Sequence, residues 1–202
     1  RNALLKQNFI DPNAIESFSK ELIAAGNEIM KLRSALLPAF IPHAVAAHGR
    51  IASGETLQMR YCRSVKADFA VELAQSRERE HVCRATVIGP HRDDLELLVG
   101  DKAAAQFCSE GQKRTIATAL KMAQADYLTE LHGAPPVLLI DDVMGELDVK
   151  RRSGLLPLLR RSHDARGQVF MTATEETWPV ELGADVCRWD IRAGAIESRA
   201  GS

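Results

Sequence analysis

The chain predicts an α/β fold with a mainly helical lobe ahead of it, and three observations carry that expectation. Val137-Leu138-Leu139-Ile140 runs straight into Asp141-Asp142 behind Pro135-Pro136, as a buried strand of a parallel sheet does. A second apolar run, Val169-Phe170-Met171, closes on Thr172-Ala173-Thr174-Glu175 and reads as the next buried strand. Ahead of both, Ile15, Phe18, Leu22, Ala25, Ile29, Leu32 and Leu36 recur at three and four residues, one apolar stripe of a long helix.

The remaining elements follow in order. Asp11-Pro12 is a helix start, a capping acid followed by Pro at the first helical position. Pro38 predicts an interruption, and Pro42 a fresh helix to about Ala52, ending near Ser53-Gly54. His43 and His48 read as surface or interfacial, too far apart on a helix to share a metal. Leu57, Met59 and Tyr61 alternate with Gln58 and Arg60 as a half-buried strand. Val65 to Arg79 reads as one helix, with Arg77-Glu78-Arg79-Glu80 a solvated face. Thr86-Val87-Ile88 and Leu95 to Val99 read as short strands around the Gly89-Pro90 turn. Ser109 caps a helix whose stripe is Ile116, Leu120, Ala123, Tyr127 and Leu131, stopped by Gly133. A helix opening at Lys150-Arg151-Arg152 contains Pro157 and is expected to kink or start late there. Ala193-Gly194 turns a terminal hairpin.

Composition narrows the classes. At 202 residues, 46% hydrophobic and 26% charged, the chain is long enough for a real core and reads as globular. The net charge of −1 gives no global field toward nucleic acid or membrane, so any DNA contact needs a local basic face. Arg50, Arg60, Arg63 and Lys66 are close in sequence and read either as such a face or as solubility charge. Cys62, Cys83, Cys108 and Cys187 form no CxxC pair, against a zinc site or a disulfide framework. No apolar run approaches the roughly 20 residues that span a bilayer. Neither a secretory leader nor a membrane partner is expected, and a cytoplasmic setting is.

The chemistry gathers at the acids. Carboxylates at the carboxyl end of a parallel strand lie where open α/β sheets bind ligands. One can hold Mg²⁺ beside a nucleotide phosphate, and the other can orient or deprotonate water. The start of the Ser109 helix offers N–H groups and a dipole that favour phosphate, and Gly111 allows close backbone approach. Each feature alone is also consistent with solvated acids or an ordinary capped helix. His91-Arg92-Asp93-Asp94 reads as a structural turn or as a contact beside the nucleotide or a dimer seam.

Taken together, Cys108-Ser109-Glu110-Gly111-Gln112-Lys113-Arg114, then Asp141-Asp142, Gly145-Glu146-Leu147-Asp148 and Thr174 resemble a known order. It is that of signature, Walker B, D-loop and switch position in the signature-bearing half of an ABC-type ATPase head, a P-loop NTPase-like sheet with flanking helices. Gly89-Pro90-His91-Arg92-Asp93-Asp94-Leu95 and Arg1-Asn2-Ala3-Leu4-Leu5-Lys6 bring the resemblance closer to the RecF family of bacterial recombination mediators. It implies a helical lobe over residues 1–85 and the carboxyl-terminal half of the ATPase head over 86–202. Asp141 would serve Mg²⁺, and Asp142 would be the catalytic base where most relatives use Glu. Ser109, Gly111, Gln112 and Lys113 would close over ATP held by a second protomer, with Asp148 at the seam and Thr174 at the switch position. Arg50, Arg60, Arg63, Lys66 and Arg92 would be the candidate DNA or interface contacts.

The implied work is ATP-dependent homodimerisation on DNA at single/double-strand junctions, with a RecR-type mediator, recombinase loading, and roles in replication restart and the SOS response to damage. Hydrolysis would be a weak, DNA-dependent ATPase activity. No GxxxxGK[ST] phosphate loop occurs in the chain, so it reads as a carboxyl-terminal fragment, inactive alone, whose ATP and Mg²⁺ need an amino-terminal half. The rival readings are an ATPase head of another chromosome-maintenance protein, a Mg²⁺-dependent nuclease or phosphatase using Asp141 and Asp142, and a partner-binding module.

Overall fold

The computed structural model describes residues 1–9, 11–142, 145, 148–164, 166–174 and 186–198. They form two compact units, residues 1–45 with 56–108, and residues 46–55 with 109–202. The elements run α1 (Asn2–Leu5), α2 (Pro12–Ile51), β1 (Leu57–Cys62), α3 (Phe69–Gln75), α4 (Arg77–Cys83), β2 (Asp94–Val99), β3 (Lys102–Ala103) and α5 (Ala104–Phe107). They continue with α6 (Glu110–His132), β4 (Leu138–Asp141), α7 (Val149–Asp164), β5 (Val169–Thr172), β6 (Trp189–Arg192) and β7 (Ala195–Ser198).

In the first unit β1, β2 and β3 form an antiparallel sheet, with Leu57 opposite Val99 and Cys62 opposite Asp94. Residues 86–108, which the sequence groups with the ATPase half, belong to this unit. Its core is Met30, Val65, Phe69 and Leu73, with Leu22, Ile23 and Ile88 against it. Gly26 decides which face of α2 meets that core. A Cβ there would lie 2.5 Å from the Phe69 ring, so only Gly lets the ring close on the helix.

That contact corrects the expected stripe. Ile15 is buried, but Phe18, Ile29, Leu32 and Leu36 stand on the exposed side, while Ser19, Gly26 and Met30 face inward. Two apolar stripes lie side by side on α2, and periodicity alone does not choose between them. The expected break at Pro38 is also corrected: α2 runs through both Pro38 and Pro42. Each proline forfeits one helical hydrogen bond, and burial of Met30 before them and Ala44, Ala47 and Ile51 after them offsets that loss. His48, expected at the surface or at an interface, is fully buried.

The expected helix over Val65 to Arg79 is two. Asp68 caps α3 by accepting the Val71 N–H at 2.9 Å, and the Ser76 hydroxyl bonds back to the Leu73 carbonyl at 2.8 Å where α3 ends. Glu80 is not on a solvated face. Its carboxylate takes both Arg1 Nη atoms, at 2.7 and 2.6 Å, with its side chain 1% exposed. Thr86 joins the same network and is no strand residue. Its N–H and hydroxyl both donate to Asn2 Oδ1, at 2.9 and 2.8 Å, so side chains satisfy the backbone that a strand partner would.

In the second unit β4 and β5 are parallel, with Asp141 opposite Thr172, and β6 and β7 form the terminal hairpin. Leu138 and Ile140 are buried, but Leu139, its cross-strand partner Phe170, and Val137 are exposed. The apolar run thus has one covered face among the described residues, not the two that its continuity predicts. Ile116 and Ala123 of α6 are buried as expected, whereas Leu131 is exposed. Helix α7 continues through Pro157. Gly154 sets its packing, since a Cβ there would lie 2.5 Å from the Arg50 carbonyl oxygen and 2.8 Å from Ile51 Cα.

Candidate functional site

The acids stand at the carboxyl end of β4, as the strand pattern requires. Asp141 is the last residue of β4, and Asp142 follows with φ of 46°, in the left-handed region. A non-Gly residue there costs about 1–2 kcal/mol, and Asp tolerates it better than most. One hydroxyl fixes the pair: Thr172 Oγ1 donates to Asp141 Oδ1 at 2.5 Å and accepts the Asp142 N–H at 3.0 Å. Both acids are exposed.

Helix α6 opens on a full capping box. The Gln112 N–H donates to Ser109 Oγ at 3.3 Å, and the Ser109 N–H donates to Gln112 Oε1 at 3.0 Å. Lys113 pairs with Glu110 at 2.9 Å, and its hydrogen bond and charge hold that carboxyl below its ordinary range. The Gly111 carbonyl accepts the Thr115 hydroxyl at 2.8 Å. Three side chains expected at ATP are therefore engaged within the helix start. The N–H groups of Glu110 and Gly111 have no intrahelical acceptor, which makes this terminus an anion-favouring end.

Asp148 stands directly before α7, its carbonyl accepting the Arg152 N–H at 2.9 Å. Thr174 lies two residues past β5 and is exposed. Glu146, Leu147 and Glu175 lie outside the described residues. A groove of about 470 Å³ runs beside Asp141, lined by Arg114, Thr118 and Lys121 of α6 and by residues 136–141. Sequence reading missed both Thr172 and the two groove cations. The signal for Thr172 was its place at the end of the second apolar run, one strand over from Asp141.

No set of three or more His, Cys, Asp or Glu that could hold a metal ion occurs among the described residues. Two exposed carboxylates do suit Mg²⁺, a hard cation commonly held by one or two carboxylates together with substrate phosphates.

No family model matches the chain. Curated relatives do. The chain is 36% identical over 200 residues to the DNA replication and repair protein RecF of Lactococcus lactis subsp. cremoris (strain MG1363), covering 98% of this chain and 55% of the relative. It is 39% identical over 183 residues to RecF of Moorella thermoacetica, covering 89% of this chain and 48% of the relative. A solved structure of the recombination mediator RecF with ATP, of the RecFOR pathway, superposes with a TM-score of 0.76 at 27% identity, over 98% of this chain and 54% of that one. The chain belongs to the RecF family. It spans about half the length of the curated RecF relatives it matches. An SMC head, 14% identical with a TM-score of 0.55, shares the fold, which is that of ABC-type ATPase heads.

The basic residues expected at DNA in a RecF-type protein are partly committed elsewhere. Arg60 pairs across the sheet with Glu96 at 3.2 Å, and Arg63 reaches the Met30 sulfur at 3.9 Å. Arg92 donates through Nε and Nη2 to the Thr86 carbonyl, at 3.3 and 3.2 Å. Arg50 belongs to the second unit and pairs with Asp126 at 3.4 Å. Lys66 is exposed. In His91-Arg92-Asp93-Asp94, the residue drawn inward is Asp93. It accepts from the Tyr61 hydroxyl, from the Ser64 N–H at 2.8 Å and from Arg33 at 3.1 Å, and these bonds brace the turn. Among the described residues no helix is long and apolar enough to cross a membrane.

Proposed function

We propose that this chain supplies the helical lobe (1–85) and the signature-bearing half of the ATPase head (86–202) of a RecF-type recombination mediator. Such a protein binds ATP and DNA, dimerises with ATP, and assists recombinase loading at gaps together with a RecR-type partner in the cytoplasm. The observation that best supports this reading is the joint presence, in one compact unit, of the capped α6 terminus and the Thr172-bound acid pair.

In this reading Asp141 holds Mg²⁺, which when bound offsets phosphate charge in the ATPase. Asp142 orients the attacking water and accepts its proton; its side chain is one methylene shorter than the Glu common in ABC ATPases, and the shorter reach makes hydrolysis slow. Ser109, Gly111, Gln112 and Lys113 meet the phosphates of ATP bound to a second protomer. Asp148 lies at the seam, and the Thr174 hydroxyl hydrogen-bonds phosphate or water without the charge a His would bring. A P-loop-bearing segment provides the phosphate cradle that these residues do not.

The test is Ser109→Arg in the P-loop-complete protein. The cation removes the cap and obstructs the close approach that Gly111 permits. ATP binding by the monomer should survive while ATP-dependent dimerisation is lost in sedimentation. A variant that still dimerises on adding ATP rules out the trans-signature role.

A further inference from the structure

We infer that Thr172 is a positioning residue for the acid pair, setting the orientation of Asp141 and the turn that carries Asp142. The inference rests on the ATPase reading above. Its own support is a single hydroxyl with two directed bonds. The Thr172 O–H donates to Asp141 Oδ1 at 2.5 Å, and the same oxygen accepts the Asp142 N–H at 3.0 Å. A hydroxyl has one donor and two acceptor lone pairs, so both bonds can form at once. The first selects one rotamer of Asp141 and leaves Oδ2 for a ligand. The second ties down the backbone of Asp142, whose φ of 46° is one that L residues rarely adopt. Because Thr172 lies opposite Asp141 in the parallel register, the strand pairing itself delivers the hydroxyl. Partners of this kind, which orient a metal-binding carboxylate from behind, typically change metal affinity about 10–100-fold when removed.

The experiment uses the P-loop-complete protein and titrates Mg²⁺ at fixed fluorescent ATP analogue, reading binding by anisotropy, with Asp141→Asn alongside. Thr172→Val keeps the shape and removes the hydroxyl. It should raise the Mg²⁺ needed for half-maximal binding about tenfold, and should lower kcat more than it raises KM for ATP. Thr172→Ser should restore both to within about threefold of the parent, an outcome that a loss of strand packing would not give. If Asp141→Asn shifts the Mg²⁺ dependence and Thr172→Val does not, the positioning role is wrong and the ATPase reading stands. If neither variant shifts it, the ATPase reading fails and the inference with it.

Discussion

The Asp93 carboxylate is the buried acid of a turn whose role the sequence leaves open. Its side chain is 1% exposed beside Tyr61, Ser64 and Arg33. Burial works to raise its pKa, and is outweighed by the hydrogen bonds from Tyr61, Ser64 and Arg33, so the carboxyl ends below its ordinary range. Burial pushes the Tyr61 hydroxyl up, and Asp93 pushes it further. The signs give two limbs. A depressed Asp93 contributes stability above its unfolded value of about 3.9, lost as pH falls through the folded value. A raised Tyr61 contributes stability below its unfolded value of about 10, lost as pH rises through the folded value. Tyr61→Phe should cost about 1–2 kcal/mol at neutral pH. It should also remove the alkaline limb from the difference between parent and variant. Thermal melts from acid to alkaline pH check this; an unchanged alkaline limb refutes it. Also at residue scale, Asp142→Asn keeps a side chain that tolerates the left-handed backbone while removing the proposed base. Hydrolysis by the P-loop-complete protein should fall about a hundredfold or more with ATP binding intact, and its ATP-bound dimer should persist longer. Single-turnover assays and sedimentation measure the two.

At the scale of elements, glycines decide which helix faces meet. Gly154 is in mid-helix, where Ala is favoured by about 1 kcal/mol on propensity alone. The added Cβ would meet the Arg50 carbonyl and Ile51 Cα, backbone atoms that cannot swing aside as a flexible side chain can. Overpacking of this kind costs about 1–3 kcal/mol. Gly154→Ala should therefore lower stability by up to about 2 kcal/mol net in urea denaturation, and a higher midpoint would show that α7 shifts freely. The same logic explains the stripe on α2. The pattern from Phe18 to Leu36 is a valid apolar face, but Gly26 draws the Phe69 ring to the neighbouring one. By contrast, the Ser109 cap and the Gly133 stop of α6 were legible, because their bonds are local in sequence, while the return bond from Gln112 came from the structure.

At the scale of the molecule, the family resemblance and the α/β class were legible from motif order. The nucleotide chemistry follows as a proposal. Lacking GxxxxGK[ST], this chain alone should bind Mg-ATP no more tightly than millimolar by calorimetry, because the main phosphate cradle and its Lys are missing from it. Micromolar affinity would overturn the division of labour proposed here. The sequence by itself determined what depends on near neighbours: the capped start of α6, β4 running into its acids, and the alternation of β1. Tertiary structure alone decided which stripe of α2 is buried, that Pro38 and Pro42 do not break it, and that Glu80 is paired with Arg1. It also decided that Thr172 grips Asp141. Those outcomes join residues tens of positions apart, and their free energies come from packing and directed bonds that no local period encodes.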